Sequence, residues 1–232
     1  MAWVWGGWIG TAIVLILFAG WLGVGLTKAG GLGILIDTRG RYSLSQFQLV
    51  VWTIVVLSLV GGVFMGRLMG GAAATALTFT IPTNLLLVMG ISLGSAVGAA
   101  ATKSYKDISA SERVAASIPA KQALAIPGTK APTPFFGQMF LVEEGAMADQ
   151  VIDITKFQNF WFTLIVVVAY IAMVAAYFAG LADPSKITQL PDFSSQMVVL
   201  LAISHGGYFV GKIPDRQGNA PYSMDQRNLA LA

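Results

Sequence analysis

The sequence has no cysteine and one histidine, and only 11% of its 232 residues are charged. The missing cysteine excludes disulfides, thiolate zinc sites, iron–sulfur ligation and cysteine nucleophiles, and leaves the redox compartment undetermined. The lone His205, with no acidic residue inside any apolar run, argues against an intramembrane metal site, which draws on several such ligands. No cofactor is expected. The acids from Asp37 to Asp225 all fall in loops or tails, so neither a Ser/His/Asp arrangement nor paired-aspartate proteolysis within a membrane is available, and a non-enzymatic protein is expected. A nucleotide-binding signature is missing as well: "GVGLTKAG" and "IDTRGRYSLS" combine Gly, Lys and Thr without the G-x-x-x-x-G-K-[ST] spacing of a P-loop. The formal charge of +3 is too small to imply nucleic acid.

What is abundant is apolar. Hydrophobic residues make up 56% of the chain, which contains 13 Phe, 9 Met and 6 Trp, and the mean hydropathy is +0.71. Most of the 26 Gly lie within apolar runs, where small residues let helix backbones approach. These features predict an all-α, polytopic membrane helical bundle. Crossing a bilayer takes about 20 helical residues, and five stretches meet that length: Trp3 to Leu26, Phe47 to Gly66, Ala76 to Ala101, Phe157 to Ala179 and Phe193 to Gly211. The first is longer than the apolar core of a signal peptide and is read as a retained span.

The basic residues orient these spans. Lys28, Arg39 and Arg41 follow span 1; Lys103, Lys106, Arg113, Lys121, Lys130 and Lys156 follow span 3; Lys212, Arg216 and Arg227 follow span 5. Only Arg67 and Lys186 lie on the other side, so the positive-inside rule puts the N-terminus outside and the C-terminus in the cytoplasm, as for an inner (cytoplasmic) membrane protein. Trp3, Trp5 and Trp8 would then form an outer interfacial belt, while Lys28, Arg39 and Arg41 would lie against anionic headgroups.

An internal repeat stands out. Ser45-Gln46-Phe47-Gln48 opens span 2 and Thr155-Lys156-Phe157-Gln158 opens span 4, followed at equal spacing by Trp52-Thr53 and Phe162-Thr163. Ile81-Pro82 leads to Gly90-Ile91-Ser92-Leu93-Gly94, and Leu190-Pro191 leads to Ala202-Ile203-Ser204-His205-Gly206. Spans 2 and 3 therefore read as a hairpin duplicated in spans 4 and 5, with both copies in one orientation, since two crossings return the chain to its starting side. The chain divides into 1–44 (first span and cytoplasmic loop), 45–102 (first hairpin), 103–154 (a cytoplasmic segment interrupted by Pro119, Pro127, Pro132 and Pro134), 155–213 (second hairpin) and 214–232 (cytoplasmic tail).

Within the repeat, S/T-x-x-Q reads as a capping box, with Ser45 and Thr155 at the caps and Gln48 and Gln158 reaching back. Gly90, Gly94 and Gly98 on span 3, and Gly207 with Gly211 on span 5, give G-x-x-x-G strips for helix packing, with Ser92 and Ser204 at matching positions. His205 is read as a neutral, hydrogen-bonded imidazole set into that face.

The run "DTRGRYSLSQFQLVVWT" (Asp37 to Thr53), with "VIDITKFQNFWFT" and "LPDFSSQMVVLLAISHGGYFVGKIP", resembles a family of uncharacterised bacterial multi-pass membrane proteins with duplicated F-Q-x(3)-W-T / L-P … G-I-S … G-K hairpins. The chain departs from that pattern at Phe162, where Trp is expected, and at Ala202, opposite Gly90. The resemblance implies a bacterial source and a recurring membrane module, and brings no reaction, ligand or catalytic residue with it. Two functions compete. One is an anchor or scaffold that presents its cytoplasmic loop and tail to a partner assembly, by self-association or through another protein. The other is an oligomeric channel or small transporter lined by Ser92, Ser95, Ser204 and His205.

Overall fold

The computed structural model describes residues 1–27, 30–37, 40–117, 135–143 and 151–213. They form a helical bundle of α1 (Ala2–Thr27), α2 (Leu44–Met69), α3 (Thr83–Ser117), α4 (Ile154–Ala179) and α5 (Ser195–Val210), with isolated bridges as the extended pairing among the described residues. Pro119 to Pro134 and the tail from 214 lie outside them. Four helices are long and apolar enough to cross a membrane. The fifth expected span needs correction, because α5 has 16 residues, about 24 Å at 1.5 Å per residue, against a hydrocarbon core of about 30 Å.

An extended segment precedes α5. Ile187, Leu190 and Phe193 are buried in the core, and the backbone around them finds partners in the protein, the condition under which irregular backbone is tolerated at membrane depth. Thr188 O accepts from Thr80 N at 2.8 Å, Leu190 N donates to Thr80 O at 3.1 Å, Tyr170 Oη donates to Pro191 O at 3.2 Å, and Asn84 Nδ2 donates to Phe193 O at 2.7 Å. Arg67 explains itself here: it is buried without an acid because its guanidinium donates to Ile187 O (2.7 Å), Thr75 O and Thr78 Oγ1. The same end corrects span 3, which begins at Thr83 and not at Ala76: Ala73–Thr75 is a short 3₁₀ turn, and Thr80 pairs with Gln189 in a parallel bridge.

Glycine packs helices at a G-x-x-x-G pair on α2, Gly62 and Gly66, and, apart from Gly98, not along the strips read on spans 3 and 5. A Cβ on Gly62 would meet Trp8 and the Val4 carbonyl, and one on Gly66 would fall on Val4, so α2 seats α1 through Gly62 and Gly66. On α3 and α5 the space beside Gly90, Gly94 and Gly207 is open; Gly98 meets the Phe209 ring, and Gly211 meets carbonyls of its own helix. The packing role read for Gly90, Gly94, Gly207 and Gly211 is therefore corrected within this chain, and Gly98 keeps it.

The two hairpins follow different registers at their ends and on their faces. The helix starts obey the motif, with Ser43 and Asp153 as N-caps 110 residues apart. The buried positions are 111 residues apart: Ser45 and Lys156, Gln48 and Asn159, Trp52 and Thr163, Val55 and Val166, Val63 and Val174. One residue turns a helix by about 100°, which rotates Gln48 inward and leaves Gln158 exposed. Ser92 and Ser95 are likewise matched in burial by His205 and Tyr208, one position on from the motif alignment.

Candidate functional site

The capping boxes are absent, and the residues assigned to them have other partners. The α2 cap is Ser43, whose backbone N–H donates to Leu35 O at 2.8 Å, and Ser45 lies inside the helix with its hydroxyl donating to Tyr208 Oη at 3.0 Å. Gln48 Nε2 crosses to α4 and donates to Thr163 Oγ1 at 2.8 Å, with Asn159 O at 3.4 Å. At α4 the Asp153 carboxylate is the stronger acceptor and takes the cap: Oδ1 accepts from the N–H groups of Thr155 and Lys156 and from the Thr155 hydroxyl.

At this end of the bundle the described residues gather a charged cluster. The segment Phe135 to Glu143 holds against the start of α4 through an antiparallel bridge between Leu141 and Ile152 and by Phe140 packed edge-on against Phe160 at 5.0 Å. That fixes Glu143 over the helix ends. Its carboxylate meets Lys156 of α4 at 2.6 Å, Lys103 of α3 at 2.9 Å and Lys212, just past α5, at 3.0 Å. Lys156 also donates to Leu141 O at 2.7 Å, and Lys212 lies over the Tyr208 ring at 4.6 Å. Lys103 reaches a second acid, Asp37 Oδ2, while Asp37 Oδ1 takes the Arg41 N–H at 3.1 Å across a turn that Gly40 closes at a φ of 74°. Burial on its own would raise the Glu143 carboxyl, but Lys103, Lys212 and Lys156 outweigh it and hold the group well below its ordinary value of 4.5.

Next to the cluster, the helices carry uncharged polar groups on their inward faces. Ser204 Oγ donates to Asn159 Oδ1 at 3.2 Å, and His205 Nδ1 lies 3.0 Å from Leu201 O. All four candidate path residues, Ser92, Ser95, Ser204 and His205, are buried inside the one chain together with Gln48, Asn159 and Thr163. Six buried side-chain atoms here have no hydrogen-bond partner among the described residues: Gln48 Oε1, Trp52 Nε1, Ser92 Oγ, Ser95 Oγ, Asn159 Nδ2 and His205 Nε2. Each such group costs about 1–3 kcal/mol when buried unpaired, and six together rival the whole net stability of an ordinary domain, about 5–15 kcal/mol.

Further along, the lining changes. Val55, Val56, Leu59, Val63, Leu85, Val88, Val166, Val167, Val174 and Leu201 form one buried apolar cluster. Ser58 Oγ beside it donates to Val55 O at 3.0 Å.

Ser92, Ser95, Ser204, His205 and the lysines stood out in the sequence, Trp52 only as part of the repeat, and Glu143, Asp37 and Asn159 did not. The rotated face, with Lys156 buried and Gln158 exposed, has no signal in the sequence. Among the described residues no group of three or more His, Cys, Asp or Glu could hold a metal ion. In comparisons with protein-family models, curated proteins and solved structures, nothing matches this chain.

Proposed function

We propose that the protein is a non-enzymatic membrane anchor that holds its inter-helix segment and C-terminal tail in place for a protein partner. One observation carries the reading: Glu143, on the segment between α3 and α4, is gripped by three lysines, Lys103 within α3, Lys156 in the first turn of α4 and Lys212 just past α5. A linker needs no such fixation, whereas a presented surface does. The charge distribution supports a cytoplasmic location for this face, with the N-terminus outside, in a bacterial inner membrane. The shared 110-residue spacing of the caps supports descent from a duplicated hairpin, as in the family the sequence resembles.

The test is affinity capture of the full-length protein from its native membranes, with the wild type beside Glu143→Gln. The anchor reading expects a stoichiometric partner that the variant loses while remaining folded in the membrane. No stoichiometric partner for the wild type would overturn it.

The buried Ser92, Ser95, Ser204 and His205 favour a channel or transporter as a second reading. Against it stands the apolar cluster along the rest of the bundle, where a permeating ion would have no ligand. Ion flux in liposomes that is lost in His205→Ala would favour this reading over the anchor.

A further inference from the structure

The six unpartnered atoms all lie in the part of the bundle next to the charged end. Gln48 and Trp52 lie three and seven residues beyond Ser45, Asn159 three beyond Lys156, His205 seven before Lys212, and Ser95 and Ser92 eight and eleven before Lys103. At 1.5 Å per residue, all of them fall within about 17 Å of the charged end. They come from four helices.

Their chemistry is complementary. Trp52 Nε1 and Asn159 Nδ2 are donors, Gln48 Oε1 is an acceptor, and the hydroxyls of Ser92 and Ser95 do both. His205 adds a second acceptor, because the Leu201 carbonyl beside Nδ1 can only accept, so the ring proton sits on Nδ1 and Nε2 is a bare base. A set of donors and acceptors spread over several elements suits water, which makes two to four hydrogen bonds when buried.

The two ends of this set differ. Towards Glu143 it meets the hydroxyl pair Ser45 and Tyr208 and then the lysines, all able to hydrogen-bond. In the other direction it meets Val55, Val56, Leu59 and Val63, which offer water nothing. The one unpartnered buried polar atom among the described residues of that half is Arg67 Nε, at its far end.

We propose that this third of the bundle is a blind hydrated site: its ligand is water, exchanging with the aqueous side that carries Glu143, and the apolar layer seals it from the other side. The bare His205 Nε2 is then a base in contact with that water. This site stands independently of the anchor reading, since a partner could bind or fail to bind with the site present.

The cysteine-free chain makes the test clean, because any introduced thiol is the only one. Ser92→Cys and Ser95→Cys are nearly isosteric, and Leu59→Cys and Val63→Cys probe the apolar layer. Each variant, in sealed vesicles of both orientations, is exposed to silver ion, which is small enough to follow water and forms an S–Ag bond as the thiol releases its proton. Thiols left unreacted are then alkylated after denaturation. The proposal expects loss of later alkylation at positions 92 and 95 when silver is added on the Glu143 side, no loss from the opposite side, and no loss at 59 or 63 from either. Resistance at 92 and 95 equal to that at 59, or reaction from both sides, would overturn it. If the cysteine variants do not fold, water-edited solid-state NMR of the unaltered protein in bilayers decides. Magnetisation from water should reach the Gln48, Trp52, Asn159 and His205 side chains before those of Leu59 and Val63, and equally slow transfer to both groups refutes the site.

Discussion

Glu143 sets one carboxylate against three ammonium groups, from within α3, from the start of α4 and from just past α5. Its removal takes the carboxylate from Lys156 and Lys212 while Lys103 keeps Asp37, so Glu143→Gln is expected to destabilise the protein by about 3–5 kcal/mol, the range for breaking one side of a buried pair. The pH dependence follows from its depressed folded-state pKa. The stabilisation is fully present above the ordinary value of 4.5 and is lost as pH falls from there through the folded value. Thermal unfolding in detergent should therefore show a wild-type midpoint that is level above pH 5 or so and drops below 4.5, while Glu143→Gln starts lower and lacks that drop. A constant gap between the two down to pH 3 would refute the assignment. Little of this was legible in the sequence. Lys103, Lys156 and Lys212 were visible as positive-inside charges, but nothing periodic ties them to an acid outside the apolar runs, and pairs so distant in the chain are set by the tertiary fold.

At the scale of the elements, helices and their approximate ends were legible, and the faces they present were not. The 110-residue spacing of the motif holds for the caps, which are Ser43 and Asp153 and not Ser45 and Thr155, but the one-residue rotation between buried faces turns Gln48 inward and Gln158 outward. Only burial reveals that. Glycine spacing misled for a related reason: four-residue spacing marks a flat strip, and what lies against the strip is a tertiary fact. Gly94 faces open space, so Gly94→Ala is expected to be neutral or to stabilise by about 0.5–1 kcal/mol through the helix backbone. Gly62→Ala must push on the Trp8 and Val4 backbone, and should destabilise by about 1–3 kcal/mol, the ordinary cost of overpacking. Denaturant titrations of the two variants check the pair, and equal effects would refute the packing assigned to α1 and α2. Arg67 fastens the segments before α3 and α5 with a fork of donors to Thr75 O and Ile187 O. Arg67→Met should cost about 2–3 kcal/mol, at the level of hydrogen bonds to a charged group, and should speed trypsin cleavage at the exposed Lys186. Arg67→Lys should restore little, because one ammonium cannot reproduce the planar fork.

Taken whole, the molecule is graded along its length: a lysine–carboxylate cluster at one end, a polar third with unmatched hydrogen-bonding atoms, then a closely packed apolar stretch closed by Arg67 and the paired extended segments. A path that conducts needs ligands or water along its full length, and this one has them along part of it. Wild-type protein reconstituted in liposomes is therefore expected to carry no ion or proton flux above that of protein-free vesicles, even with a potential applied. The grading also says where a leak could be made. Val56 and Val167 sit at the start of the apolar stretch on α2 and α4, and both are buried in its cluster. Replacing both with serine adds two hydroxyls beyond Trp52 and Thr163, so that water gains partners one turn deeper. Val56→Ser with Val167→Ser should raise proton leakage, read with an entrapped pH dye, while the same double change at the exposed Val168 and Val199 should not. Flux in the wild type, or equal leakage from the buried and the exposed pair, would mean that the apolar stretch is not the barrier and that the bundle is open from end to end.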